Sequence, residues 1–412
     1  MNKLLSILLL LLTLQTKIYG DEFDLKFVLV YFDEGPVIPA TSPFGAAAWK
    51  PLQFFDKEDH IGQITKISKW IRKVLNSEFH GLICDFHEMP SLPIQMSKHN
   101  HSHNPSSDSV PFNWNTRVIL NSPFLTCDFY HANYVGDATN PKRFICAQGP
   151  AQESSVYPFW AMVIQEKVDI IVMVGTCYFG DDEKCRQYFP TILDQTIEVR
   201  SPLPHSSSAS SKESYEYIYV TLWSHNNISH STELSVRTIN IEWGNGKKRR
   251  SIHHYCYENW VENCIPDLTY VVCTIVKEIW RGVVDELDDE RPILVHSTNG
   301  IGRAGTLIAI SNLMHALPTG KADVMQIVRK VREQRHQAIV TSGQYLHIHH
   351  ALLEWHLHEK KKVKLGFGGM KKWRKWKELN TKHEKEDWER VANELENNVE
   401  NNNAPEGEKL LK

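Results

Sequence analysis

The stretch Val295 to Thr306 (VHSTNGIGRAGT) constrains this chain more than any other. The apolar residues Ile293, Leu294 and Val295 lead into it and read as the end of a buried strand. Two glycines and Arg303 then open an apolar run from Leu307 to Leu317, which fits a buried helix. A strand, a tight glycine loop and a helix N-terminus together form an anion site. Free backbone N–H groups and the positive end of the helix dipole converge there on one point. Arg303, in the first helical turn, adds a planar fork that grips two oxygens of one phosphate. The cradle so defined comprises Ser297, Thr298, Asn299, Gly300, Ile301, Gly302 and Arg303.

This segment closely resembles the active-site loop of the cysteine-dependent protein tyrosine phosphatases, which reads His-Cys, five residues, Arg, then Ser or Thr. Here His296 matches the histidine, Ser297 stands at the cysteine, and Ala304 follows the arginine. The likeness continues through Tyr130 to Tyr134 (YHANY, similar to "YINANY"), Arg143 to Pro150 (RFICAQGP), Phe159-Trp160 and Val172 to Val174. Lys184-Cys185 with Tyr188 to Pro190 is similar to the "KC…YWP" strand, and Trp260 to Pro266 sits where the mobile acid loop "WPDHGVP" belongs. Gln344-Tyr345 matches the late glutamine loop. Together these span roughly residues 60 to 357. The resemblance implies an α/β fold: a single large domain with a highly twisted mixed β-sheet flanked by α-helices.

The departures from the family pattern concern the chemistry. Its nucleophile is a thiolate, whose pKa a ring of amides and an arginine pulls from about 8.5 to well below 7. A serine alcohol is a far weaker acid and needs a general base. His296 is one residue from Ser297 and, on a strand, should point to the opposite side; the resemblance gives it a supporting role. Trp260 is retained in the acid loop, but Val261 replaces the proline and Glu262 the aspartate. The longer side chain moves the carboxyl by roughly an ångström, enough to cost about a hundredfold in rate. Where the family places a substrate-stacking tyrosine this chain has Ser106, Ser107 and Asp108, with Trp114 nearby as the candidate substitute. The glutamate that would pair with Arg303 falls near Tyr178 or Phe179, so Arg303 is expected to be less firmly oriented. Lys184 and Gln344 match the acid-loop lysine and the water-positioning glutamine; Gln344 is equally the capping-box partner of Thr341. Arg117 matches a structural arginine.

The organisation expected along the chain is a signal peptide (1–20), an extension packed on the domain (21–59), a phosphatase-like domain (60–358) and a tail (359–412) that is basic, then acidic and partly disordered. Lys3, the apolar run from Leu4 to Leu14 and Gly20 read as a cleavable secretory signal, too short to span a bilayer comfortably. A secreted or lumenal protein is the expectation; a cytoplasmic one is the alternative if that run does not work as a signal. The sequons at Asn100 and Asn227 fit the secretory compartment. A helix is expected over 62–78 from its apolar spacing, and Cys256 and Cys264, flanking Trp260, are candidates for pairing. The tail carries Trp373 and Trp376 among lysines. It reads as a solvated charged helix, with weak membrane or partner contact as the alternative. A formal net charge of −3 gives no reason to expect a nucleic-acid partner. No cofactor or metal is expected, because His99, His101 and His103 lack cysteine or carboxylate companions.

Three functions remain open at this level. The leading one is a catalytically silent domain that binds a protein, phosphorylated or not. The second is a slow phosphatase working through Ser297 and Glu262, and the third a secreted scaffold with an empty cleft.

Overall fold

In the computed structural model, the apolar run before the glycine loop becomes strand β11 (Ile293–Ser297), at the centre of a nine-stranded sheet. The structure describes residues 60–403 except 78, 91–111, 138–139, 180–181, 203–216, 228–233, 267–268, 286–290, 321–322 and 360–362. The expected signal, the N-terminal extension, the serines at 106 and 107 and the histidines at 99, 101 and 103 lie outside the described residues.

In chain order the elements begin with helices α1 (His60–Asn76) and α2 (Phe79–His87), then strands β1 (Arg117–Ile119), β2 (Phe129–Val135) and β3 (Phe144–Gln148). Helix α3 (Glu153–Gln165) and strand β4 (Ile170–Val174) follow, with a small hairpin of β5 (Tyr178–Phe179) and β6 (Asp182–Glu183). A meander of β7 (Thr196–Arg200), β8 (Tyr217–Asn227), β9 (Leu234–Trp243) and β10 (Lys248–Tyr257) leads to α4 (Thr269–Asp285). After β11 come α5 (Gly302–Thr319), α6 (Val324–Gln334), α7 (Ser342–Glu354) and α8 (Phe367–Asn403).

The sheet order is β1-β2-β3-β11-β4-β10-β9-β8-β7. The four central strands β3, β11, β4 and β10 are parallel, and antiparallel strands flank them on both sides. Parallel strands must be covered on both faces, and alternate residues of β11 serve two cores accordingly. Leu294 joins a core with α3 and the meander, while Val295 joins one with α4, α5, α6 and α7. Helix α5 is buried at every position from Gly302 to Ser311, which explains why its sequence is apolar all round.

A third core corrects one expectation. The tail tryptophans are not spread among solvated charges: Trp373 and Trp376 are 2% and 4% exposed. They pack with Ile67, Ile71 and Val74 of α1 and with Leu346 and Leu353 of α7. The lysines of α8 face outward while its aromatic stripe closes the groove between those helices, so these rings are unavailable to a membrane. Among the described residues, no helix is long and apolar enough to cross a membrane.

Candidate functional site: an anion cradle under a glutamate loop

The cradle forms where β11 runs into α5. Gly149 N–H, following β3, donates to Ser297 O at 2.9 Å and fixes the strand end. The chain then turns at Gly300, whose φ is +64° and where a Cβ would lie 2.1 Å from Ala147 O, so only glycine fits. The carbonyls of this loop point away from the cradle. Arg335, just after α6, donates to Asn299 O at 3.0 Å and to Gly300 O at 2.9 Å, and the Cys146 thiol also donates to Gly300 O at 3.3 Å. The amides consequently face the other way. Among the described residues, no backbone N–H from Thr298 to Arg303 has a protein acceptor. Unpaired amides on a tight loop at a helix N-terminus are what an anion site needs.

Arg303 is 5% exposed, and contrary to expectation it is firmly held. Its Nη1 donates to Trp260 O at 2.8 Å and its Nη2 to Thr298 Oγ1 at 2.7 Å, with Glu262 Oε2 at 4.0 Å from Nη2. The guanidinium lies against Gly175, where a Cβ would be only 2.3 Å from Nη1. Neither Tyr178 nor Phe179 supplies an anion; the carboxylate comes from the acid loop instead. Burial lowers the Arg303 pKa and Glu262 opposes that shift, and the guanidinium remains a cation.

Ser297 is buried at the foot of the cradle, with no hydrogen-bond partner for its hydroxyl among the described residues. His296 points to the opposite side, as strand alternation requires. Its Nε2 is 2.7 Å from Tyr188 Oη, which is also 2.7 Å from His254 Nε2. Burial, with a smaller contribution from Arg303, pushes the His296 pKa down to about 3. Such a ring is neutral at pH 7 and a feeble base.

The acid loop lies over this ensemble. Trp260 is fully buried against His347 and Tyr257, and its Nε1 donates to Cys264 O at 2.9 Å. Glu262 Oε1 accepts from Asn299 Nδ2 at 3.0 Å. Sequence reasoning thus brought together Ser297, Arg303, Glu262 and Trp260, and the structure places all four at one site. It missed Arg335, and it gave Asn299 no role beyond its place in the loop.

A sequence profile described as Protein-tyrosine phosphatase matches residues 100–354. This chain belongs to that family. Mouse receptor-type tyrosine-protein phosphatase C is similar to its phosphatase domain, 27% identical over 295 residues, which are 69% of this chain and 21% of that protein. Drosophila tyrosine-protein phosphatase 69D is 30% identical over 230 residues, 56% of this chain and 14% of the relative. Mouse non-receptor type 5 is 30% identical over 245 residues, 58% and 40% respectively. The chain therefore spans well under half the length of each of these relatives. A solved structure concerning PTPN18 and distinct HER2 tyrosine phosphorylation sites shares the fold, with a TM-score of 0.56 at 20% identity over 71% of this chain and 99% of that one.

The remaining candidates of this phosphatase domain divide. Gln344 is wholly buried: its Oε1 accepts from Val340 N–H at 2.8 Å, and its amide packs on Gly302. Thr341 Oγ1 caps α7 by accepting from Gln344 N–H at 3.1 Å. Gln344 thus works as a capping residue whose side chain reaches one residue beyond Thr341, and its place is the cradle wall. Lys184 is half-buried, its N–H bonded to Cys177 O at 2.7 Å. Trp114 meets Phe112 edge-on and Phe129 at a tilt, with the Arg117 guanidinium over its ring. Arg117 pairs with Asp128 at 2.8 Å, a structural role as expected. Cys256 and Cys264 are not paired. All eight cysteines are free thiols, and the Cys256 thiol meets Glu258 Oε1 at 3.6 Å instead.

Proposed function

We propose that this phosphatase-family domain binds phosphate-bearing protein without hydrolysing it. The observation that carries the proposal is the isolation of the Ser297 hydroxyl. The nearest histidine faces away, is engaged with Tyr188, and has a pKa near 3. The Glu262 carboxylate is engaged by Asn299 and Arg303. An alcohol with no base to take its proton does not attack phosphorus at a useful rate. Binding makes no such demand, because the unpaired amides and Arg303 hold an oxyanion whatever occupies position 297. The partner class that follows is a phosphorylated protein, with phosphotyrosine the ligand suggested by the family. The apolar run of residues 4–14 supports an exported location, which N-terminal sequencing of the native protein tests.

One observation favours the second reading, a slow phosphatase: Glu262 lies at the cradle, where a leaving-group acid is needed. The two readings separate when a phosphotyrosine peptide is mixed with wild type, Ser297→Ala and Arg303→Ala. Silent binding gives association that Arg303→Ala abolishes and no phosphate release above the Ser297→Ala level. Release that Ser297→Ala removes overturns the proposal, and the absence of any association leaves an empty scaffold.

A further inference from the structure

The contact between the acid loop and the cradle goes further than the placement of an acid. We infer that Asn299 latches the Glu262 carboxylate onto the cradle, so that an incoming phosphate must displace an anion the protein itself supplies. This rests on the phosphate-cradle reading and sets the charge a ligand needs to enter.

The local backbone delivers Glu262 inward. Asn263 adopts φ +60°, a left-handed conformation that asparagine tolerates, and Cys264 N–H closes the turn onto Val261 O at 3.3 Å. With Trp260 anchored below, Glu262 sits beside the turn residue with its side chain over the loop that begins at Ser297. One oxygen accepts from Asn299 Nδ2 at 3.0 Å, and the other is 4.0 Å from Arg303 Nη2. Glu262 is 32% exposed against 5% for Arg303, so the carboxylate is the solvent-accessible member of the pair. Two N–H groups of the same guanidinium donate to Trp260 O and Thr298 Oγ1.

Three consequences follow from charge and geometry. The carboxylate offsets the Arg303 charge, so the occupied cradle presents little net attraction to a weakly charged anion. A phosphate seated on the loop amides would place its oxygens beside Glu262, and like charges at such separations repel strongly where water is scarce. A phosphomonoester dianion, which gains most from the amides and Arg303, is therefore the class that can displace the latch; a carboxylate or phosphodiester is not. The Asn299 side chain acts in positioning; only its backbone N–H belongs to the ligand-facing amides.

Two measurements on the purified full chain test the latch separately from the cradle. Hydrogen exchange of the backbone amides of residues 260–264 reports the loop, and calorimetry with inorganic phosphate reports the cradle. Asn299→Ala removes the bond and keeps the charge; Glu262→Ala removes both. Both variants should exchange faster in this segment. Both should bind phosphate at least about tenfold more tightly, the size expected for loss of a hydrogen bond to a charged group that competes with the ligand. Unchanged exchange with unchanged phosphate affinity in both variants overturns the latch and leaves the cradle standing. Faster exchange with no phosphate bound by any variant overturns the cradle reading and, with it, the gating role.

Discussion

Arg335→Met tests how the cradle is built. Arg335 is 1% exposed and donates to four acceptors: Asn299 O at 3.0 Å, Gly300 O at 2.9 Å, Asn133 Oδ1 at 2.7 Å and His131 Nδ1 at 2.8 Å. Methionine fills much of the same volume and removes every donor. Two contributions oppose each other. Burial pushes the Arg335 pKa down to about 10, so relieving that buried charge returns on the order of 3 kcal/mol. Gly300 O keeps the Cys146 thiol as a donor, and the three acceptors left without Arg335 cost about 1–3 kcal/mol each. The acceptors win, and a net loss of about 3 kcal/mol is expected. For a domain of this size that lowers Tm by about 10 °C, read by circular dichroism. The Asn299 and Gly300 carbonyls, freed from below, can rotate toward the cradle, so calorimetric phosphate binding should fall even at temperatures where the variant is folded. A Tm within about 2 °C of wild type together with unchanged phosphate affinity would refute the argument that Arg335 orients the loop.

Other outcomes follow from the same coordinates. Trp373→Ala empties a buried site between α1 and α7 and should cost about 3–5 kcal/mol. Limited proteolysis should then cut within 367–386 much faster than in wild type; equal rates would mean that α8 is not docked through this ring. Burial pushes the pKa of His349, which stacks on Trp70, down to about 3. Its unfolded-state value is about 6.5, so its contribution is complete above that pH and is lost as pH falls toward 3, by about 1.4 kcal/mol per pH unit. His349→Phe should flatten the pH dependence of urea unfolding between about pH 6.5 and 4, and an unchanged slope would show that the ring is not held neutral.

The strand, glycine turn and buried helix of the cradle were legible because each leaves a local mark: an apolar run, two glycines, a second apolar run. The placement of Glu262 near Arg303 was legible only through resemblance, since 37 residues separate Glu262 from its partner Asn299. Arg335 left no mark. Nothing nearby distinguishes it from Arg332, and its role depends on Asn133, 202 residues away in β2. The docking of α8 had a signal that its charge obscured. Met370, Trp373, Trp376 and Asn380 recur every three or four residues, the spacing of one helix face, and that stripe outweighs the lysines around it. The anchoring of Arg303 ran against expectation because its carboxylate comes from the acid loop, and its remaining bonds go to a backbone carbonyl and a threonine hydroxyl that residue type alone does not single out.

The central claim is that this cradle holds a phosphate it cannot cleave. Calorimetry of a phosphotyrosine peptide, with phosphate release and the intact protein mass followed in the same sample, addresses it most directly. The account predicts a binding isotherm that Arg303→Ala removes, a peptide recovered still phosphorylated, and an unmodified Ser297. Free phosphate accumulating with time, or a phosphoryl adduct on Ser297, would contradict it.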